Sequence, residues 1–182
     1  MQVHTSGDEV ELFLNGQSLG RKTKARYQYR LQWNNVIYTP GELKAVAYKN
    51  GKEWATDTVK TTGPAATLHL SADRSVIRAD GDDLSFITVR VADQDGRTVP
   101  HSHPAIRFRV DGPGEIVATD NGDATDFTPF QSHERQAFNG LALVIIRAKH
   151  SRPGTLTVRA ESAGLTSAPV SITTHTVPAS EH

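Results

Sequence analysis

The segment Ala79–Pro100 most constrains the fold, because it joins an acidic glycine turn, an alternating segment and a second Asp-Gly turn. Within it, Ile87, Val89 and Val91 alternate with polar or small residues, which is the period-two pattern of a strand with one buried face. Asp95-Gly96 then ends the run, since glycine adopts a positive φ without the steric penalty of other residues. This order of turn, strand and turn predicts a β-sandwich and disfavours a helical or α/β enzyme.

Charge and length exclude several classes of function. The chain has 182 residues, with 20 Lys plus Arg and 20 Asp plus Glu, so its formal net charge is zero when histidine is neutral. Attraction to nucleic acid or to anionic lipid grows with excess positive charge, and we therefore expect no nucleic acid and no membrane as partners. The absence of cysteine excludes disulfides and thiolate metal sites, and no cofactor is expected.

The start of the chain carries no recognisable export signal. Met1–His4 lacks the basic and apolar regions of a signal peptide, and no apolar run approaches the roughly 20 residues that span a bilayer. If a longer parent protein is exported, we expect its signal to lie outside this chain.

The first of two expected domains covers residues 1–63. Val10–Leu14 alternates and ends at Asn15-Gly16, the strongest short hairpin signal, after which a strand and a turn follow. Tyr27–Trp33 is predicted to be a strand with its four large apolar side chains on one face. The remaining expected elements are the strands Leu43–Lys49 and Trp54–Lys60, the turn Asn50-Gly51 and the linker Thr61–Pro64.

The second expected domain covers residues 64–182 and repeats this pattern at greater length. Its expected strands are Thr67–Ser71, Ser75–Arg78, Leu84–Ala92, Ala105–Val110, Ile116–Thr119, Leu141–Ala148, Thr155–Ala160 and Val170–Thr174. Short strands separated by Gly, Pro and Asp turns, with no amphipathic helical window, are typical of a sandwich. The fold class predicted for the chain is all-β, with two tandem immunoglobulin-like β-sandwich domains.

Two segments of the second domain stand out. Leu141–Ile146 is a nearly continuous apolar run, which predicts a central strand buried on both faces. Asp120–Gly140 has no comparable pattern, and a loop of that length is uncommon unless it has a role. We expect this long loop to form a functional surface.

Several runs carry a resemblance to a known family. Gly7–Gly20 and Pro40–Tyr48 resemble a β-sandwich domain that follows the catalytic barrel in β-galactosidase-like enzymes of glycoside hydrolase family 2. The second unit is similar to the domain after that one, through Ala79–Phe86, Asp120–Gly122 and Phe138–Val144. The resemblance implies that the chain is the non-catalytic C-terminal accessory region of such a glycosidase. The implied partner is the catalytic barrel of the parent enzyme.

A looser similarity connects the second unit to the bacterial immunoglobulin-like repeats of adhesins. It is carried by Asp95-Gly96, Val99-Pro100 and Ala160–Gly164. The family domain also has residues before the position of Val3, so the first unit is expected to lack an edge strand. The resemblance further implies a periplasmic or secreted parent in a bacterium.

No catalytic residue is assigned. Members of the family carry two catalytic glutamates on a (β/α)₈ barrel, which takes about 250 residues and is incompatible with this length and pattern. Glu9 and Glu11 share one face of a strand and are expected to be solvated charges. The fragment alone is therefore expected to hydrolyse no glycoside.

Three further patterns are only weak evidence for a metal site or a catalytic site. His101 and His103 have the spacing of a strand pair of metal ligands, but the prolines beside them favour an exposed turn. Asp120–Asp126 resembles part of a calcium loop, yet Gln131 stands where an EF-hand needs glutamate, which favours a turn rich in Asx motifs. Ser132 and His133 are adjacent, which does not create a nucleophile and base pair.

The long loop offers the candidate binding surface. Flat aromatic side chains alternate there with hydrogen-bonding groups, a mixture that can hold a sugar or a protein partner. The candidate glycan or docking residues are Asp120, Asn121, Asp123, Phe127, Phe130, His133 and Arg135. The favoured alternative is that Phe127, Phe130 and Phe138 close the open end of the sandwich. Trp33 and Trp54 are weaker sugar candidates, and Trp33 is expected in the first core.

Three functions remain open at this point. The chain is expected to support or dock on the catalytic barrel of a family 2 glycosidase that acts on β-galactosides or related glycans. The alternatives are a carbohydrate-binding module and an adhesin-type immunoglobulin-like stalk.

Overall fold

The computed structural model describes residues 1–176, and every regular element in that range is a β-strand. The chain divides into two compact units, Met1–Thr61 and a second one that begins at Thr62. The all-β prediction is confirmed. Folding of residues 1–63 and 64–182 as separate domains stays a prediction.

The first unit contains six strands. They are β1 (Gln2–His4), β2 (Glu9–Leu14), β3 (Gln17–Thr23), β4 (Arg30–Gln32), β5 (Glu42–Lys49) and β6 (Lys52–Lys60). Four of them form an antiparallel sheet in the order β3-β2-β5-β6, and β1 pairs with β4 in a separate two-stranded sheet.

The two hairpins of the larger sheet turn at Asn-Gly pairs. Asn15 and Gly16 have φ values of 50° and 79°, and Asn50 and Gly51 have φ values of 52° and 76°. These left-handed conformations match the right-handed twist of the flanking strands, which explains why the sequence signal was reliable.

A small core lies between the two sheets of the first unit. Val10 and Leu12 of β2 are fully buried, and they pack in one apolar cluster with Leu31, Trp33 and Ala47. The predicted place of Trp33 in this core is confirmed, since its exposed fraction is 5%.

The predicted strand Tyr27–Trp33 is wrong in its first half. Only Arg30–Gln32 is a strand, and Tyr27 has a φ of 68°, which breaks the extended backbone. Tyr27 and Tyr29 are therefore exposed instead of sharing a buried face with Leu31.

The second unit contains ten strands within the described residues. They are β7 (Thr67–Ala72), β8 (Val76–Arg78), β9 (Leu84–Ala92), β10 (Ala105–Asp111), β11 (Gly114–Asp120), β12 (Glu134–Gln136), β13 (Leu141–Ala148), β14 (Gly154–Glu161), β15 (Thr166–Ser167) and β16 (Val170–His175). They form two five-stranded sheets, in the orders β12-β10-β14-β16-β8 and β11-β13-β9-β7-β15. All eight strands predicted for this unit are present, whereas β12 and β15 were not predicted.

One continuous core joins these two sheets into a sandwich. Ile87, Val89 and Val91 of β9 are fully buried, as the alternation predicts, and they pack in one cluster with Phe108 of β10 and Leu156 of β14. Ala142, Val144 and Ile146 of β13 belong to the same cluster, so the strand that follows the long loop is packed in this core.

The prediction for Leu141–Ile146 is wrong in one respect. The strand is central, between β11 and β9, but its burial alternates. Ala142, Val144 and Ile146 face the core, while Leu141 is 41% exposed. The other apolar residues of this run lie on the outer face of the sheet, where they are only partly buried.

Candidate functional site

The long loop between β11 and β13 is ordered by side chains that bond to their own backbone. Asp120 Oδ1 accepts hydrogen bonds from the amides of Asn121 and Gly122, at 2.7 and 3.2 Å. Asn121 Oδ1 accepts from the amide of Asp123 at 2.9 Å, and Asp123 Oδ1 accepts from the amide of Thr125 at 2.9 Å. These are Asx turns, so the favoured interpretation of Asp120–Asp126 is confirmed.

Arg135 holds the rest of the loop through hydrogen bonds from its buried side chain. It lies in β12, which pairs with β10, and its side chain is 1% exposed. All five of its N–H donors are engaged. Nε donates to Thr119 Oγ1, Nη1 donates to Asp126 Oδ2 and the Thr128 carbonyl, and Nη2 donates to the carbonyls of Thr119 and Pro129.

The prediction that Arg135 belongs to an exposed binding surface is wrong, because its side chain is buried. We expected an exposed side chain that touches a ligand, but a guanidinium with no remaining donor cannot bind one directly. Arg135 instead ties the loop backbone to the sandwich. The sequence signal was its alternation with exposed Glu134 and Gln136, which marks a short strand with an inward arginine.

Asp126 is the anionic partner of this arginine. Hydrogen bonds from the side chain and the backbone of Thr128, and then from Arg135, hold the pKa of Asp126 well below its usual range. Asp126 Oδ2 also accepts from Asn121 Nδ2 at 2.8 Å. The carboxylate is therefore charged at neutral pH and joins three parts of the loop.

The phenylalanines of the loop do not close the sandwich. Phe127 is 93% exposed and Phe130 is 60% exposed, so the favoured interpretation of them as core plugs is wrong. Phe138 is half-buried, with its ring centroid 6.3 Å from that of His103. The buried apolar residue of this segment is Ala137, which belongs to the core cluster.

A cleft of about 550 Å³ lies beside the ordered loop. The lining residues that carry polar or aromatic groups include His103, Asn121, Asp123, Phe127, Gln136 and Phe138. Among the predicted residues, the structure thus brings Asn121, Asp123 and Phe127 together. It places Asp120, Phe130, His133 and Arg135 outside the lining.

Gln136 and His103 are cleft residues that were not among the candidates. Gln136 Nε2 donates to the His103 carbonyl at 3.1 Å, and His103 Nδ1 lies 3.2 Å from the Ala137 carbonyl. They come from different strand ends, and their proximity depends on the pairing of β10 with β12, which no local pattern indicates.

The other candidate groups are separate from this cleft. Glu9 pairs with Arg21, and Glu11 Oε1 accepts a hydrogen bond from Ser18 Oγ at 2.7 Å. His101 is exposed. Within residues 1–176, no group of three or more His, Cys, Asp or Glu side chains has a geometry that would hold a metal ion. The same range contains no helix long and apolar enough to cross a membrane.

The first unit exposes four large apolar side chains close to β4 in the chain, and their exposure was not predicted from the sequence. Tyr27, Tyr29, Ile37 and Tyr38 flank β4 on both sides and are 84%, 72%, 82% and 75% exposed. We call these four residues the β4 flank. Large apolar side chains at this exposure are unusual in such number over so short a segment. Trp54 of β6 is also exposed, at 56%, with Lys49 Nζ 4.8 Å from its ring centroid.

Comparison with known families identifies the chain. A family model described as glycoside hydrolase family 2 C-terminal domain 5 matches residues 68–171, more than half of the chain. The chain belongs to this family. In this family 2 C-terminal region, a second model, described as domain of unknown function DUF4982, matches residues 1–55. The resemblance inferred from the sequence is confirmed.

Relatives of this C-terminal region are named as glycosidases. The chain is 38% identical to beta-galactosidase BoGH2A of Bacteroides ovatus over 93% of its own length and 20% of that protein. It is 27% identical to a beta-glucuronidase of Formosa agariphila over 98% of its own length and 18% of that protein. The chain thus spans about a fifth of the length of these relatives.

A solved structure supports the fold of the family 2 region. A glycosyl hydrolase family 2 member from Bacteroides cellulosilyticus matches with a TM-score of 0.86 and 32% identity. The match covers 96% of this chain and 22% of that protein. The fold and the family are therefore both those of an accessory region of family 2 enzymes.

Proposed function

We propose that this region docks on the catalytic barrel of a family 2 glycosidase and supports it. The observation that carries the proposal is the β4 flank, whose four large apolar side chains are 72–84% exposed. Tyrosine is enriched at protein interfaces because its ring buries a large area while its hydroxyl keeps a polar partner. A partner that covers the flank would remove this apolar area from water.

The small size of the first unit also favours a supporting partner. Its second sheet has only the two short strands β1 and β4, and two-stranded sheets are marginally stable without further packing. Only five residues form its buried apolar cluster. Contact with a larger domain would stabilise these elements.

The rest of the parent enzyme is the partner we propose for this flank. The matched relatives are about five times longer than the chain, and the resemblance implies a catalytic barrel in such a protein. The net charge of zero favours an apolar contact over an electrostatic one. Family membership favours an enzyme parent over an adhesin stalk.

The names of the relatives support a proposal for the substrate class of the parent. One is named a beta-galactosidase and is the more similar, at 38% identity. We propose a β-galactoside or a related glycan as the substrate of the parent. We expect residues 1–176 to supply no catalytic group for that reaction, and nitrophenyl β-galactoside should remain unhydrolysed by the isolated region.

Docking can be tested by making the same two substitutions in the full-length parent enzyme and in the isolated region. Tyr29→Ser and Ile37→Ser together should lower the melting temperature of the full-length parent enzyme and shorten the half-life of its activity on heating. In the isolated region the same pair should leave the melting temperature nearly unchanged, because both side chains are exposed there.

A matched control comes from the second unit. Val76 is 53% exposed, and Val76→Ser changes the polarity of a side chain outside the flank. It should have little effect in either protein. Equal effects of the Tyr29 and Ile37 pair in the full-length enzyme and in the isolated region would contradict docking through the flank.

A further inference from the structure

We infer that the cleft beside Phe127 in the second unit binds a neutral oligosaccharide, with the Phe127 ring as a stacking platform. This inference concerns a different unit from the β4 flank, and it does not depend on docking. It assigns a ligand class to the cleft.

The Phe127 ring is presented to solvent by a rigid support. Asp126 Oδ1 accepts a hydrogen bond from the Thr128 amide at 2.8 Å, which places Phe127 at the tip of an Asx turn. The same carboxylate is anchored by Arg135 Nη1 at 2.9 Å. These contacts fix the backbone that carries the ring, and the ring itself, at 93% exposure, is fully accessible to a ligand. Its flat face suits the C–H face of a pyranose ring.

Unused hydrogen-bonding atoms lie around the same cleft. Asp123 Oδ2, Gln136 Oε1 and His103 Nε2 make no hydrogen bond with any residue in the described part of the chain. They provide acceptors for sugar hydroxyls, because the proton of neutral His103 lies on Nδ1, facing the Ala137 carbonyl, and leaves Nε2 as an acceptor. An aromatic face combined with a few convergent polar groups is the usual composition of a small-molecule site.

The charges at the cleft select against acidic sugars. Among the described residues that line it, His103 is the only basic one, and Asp123 and Asp126 are both acidic. Arg135, which neutralises Asp126, has no donor left for a ligand carboxylate. A uronate would therefore meet repulsion without a compensating cation, whereas a neutral sugar would not.

The test is an NMR titration of the isolated 182-residue chain. The probes are the neutral tetrasaccharides of β-linked galactose, glucose, mannose and xylose, with tetragalacturonate as the acidic counterpart. At least one neutral probe should shift amide resonances of residues 121–128 and 136–138. Tetragalacturonate should bind about tenfold more weakly than the best neutral probe or not at all.

Two phenylalanines of one loop give a matched pair of variants. Phe127→Ala should weaken binding about tenfold, the effect of losing one aromatic contact. Phe130→Ala removes an equally large ring outside the cleft lining and should leave affinity within about twofold. Gln136→Leu should weaken binding while the amide spectrum of the core stays unchanged.

Three results would overturn the inference. They are the absence of shifts at these residues with every neutral probe, equal affinity of Phe127→Ala and the unmodified chain, and a preference for tetragalacturonate. None of these results bears on the stability difference that tests docking through the β4 flank.

Discussion

Arg135 Nη1 and Asp126 Oδ2 lie 2.9 Å apart beneath an exposed loop, and the arginine is the more deeply buried of the two, at 1% exposure against 15%. The pair links a strand of the sandwich to the turn that carries Phe127. A loop without a helix or an apolar core of its own is thereby held in one conformation.

Replacement of Arg135 should be strongly destabilising. Arg135→Met removes five hydrogen bonds and leaves Asp126 without its counterion, and breaking a buried ion pair from one side costs about 3–5 kcal/mol. Urea unfolding of the isolated region measures this change. Arg107→Met is the control, because the Arg107 pair with Glu134 is exposed and should contribute only about 0–1 kcal/mol. Similar losses in both variants would refute the structural role of Arg135.

The free energy of unfolding should decrease at acidic pH. Hydrogen bonds from the Gly63 amide and other backbone amides lower the pKa of Asp93, and those from Thr128 lower that of Asp126. A carboxyl whose folded pKa lies below its unfolded pKa of about 4 stabilises the fold above that pH, and the contribution is lost as the pH falls below it. Urea midpoints should therefore decline from about pH 4 downward, and Asp93→Asn should flatten this decline. A midpoint that is constant down to about pH 3 would contradict the assignment.

Two phenylalanines of the second unit should differ sharply in their effect on stability. Phe108 is 1% exposed within the core, and Phe108→Ala should cost about 3–5 kcal/mol through lost burial and a cavity. Phe130 is 60% exposed, and Phe130→Ala should change the free energy of unfolding by less than about 0.5 kcal/mol. A large loss in Phe130→Ala would show that the ring is packed in solution.

Limited proteolysis can test the boundary between the units. Cleavage near Thr61–Ala65 should leave a stable fragment that starts close to Thr67. The Gly63 amide donates to Asp93 Oδ2 at 2.9 Å, so this segment is attached to the second unit. Asp93→Ala should release Gly63 and accelerate cleavage there. Resistance of both proteins at this segment would indicate a single cooperative domain.

Local patterns predicted the strands well where burial alternates. Ile87, Val89 and Val91 reveal β9 because every second residue faces a large core, and Asn15-Gly16 reveals a hairpin because few residues tolerate its backbone conformation. The same logic failed at Tyr27, where alternating aromatic residues continue past the end of the strand.

The candidate surface was predicted only in part, because its organisation is not local. Arg135 bonds to Thr119, which is 16 positions earlier in the chain, and no spacing rule connects the two. An arginine in a polar loop is usually exposed, so the sequence favoured a ligand contact over burial. The exposure of Phe127 was likewise unexpected, since phenylalanine is most often found in cores.

The exposed edge strand β6 affects whether the isolated region aggregates at high concentration. All nine residues of Lys52–Lys60 are exposed, and β6 forms one edge of its sheet. A second molecule could add a strand there, but it would have to desolvate Lys52, Asp57 and Lys60 along the way. Asp57 also lines a cavity of about 290 Å³ together with Val59, so this carboxylate lies on the face of the sheet near β1. Charge on this strand therefore discourages fibre growth through the open edge.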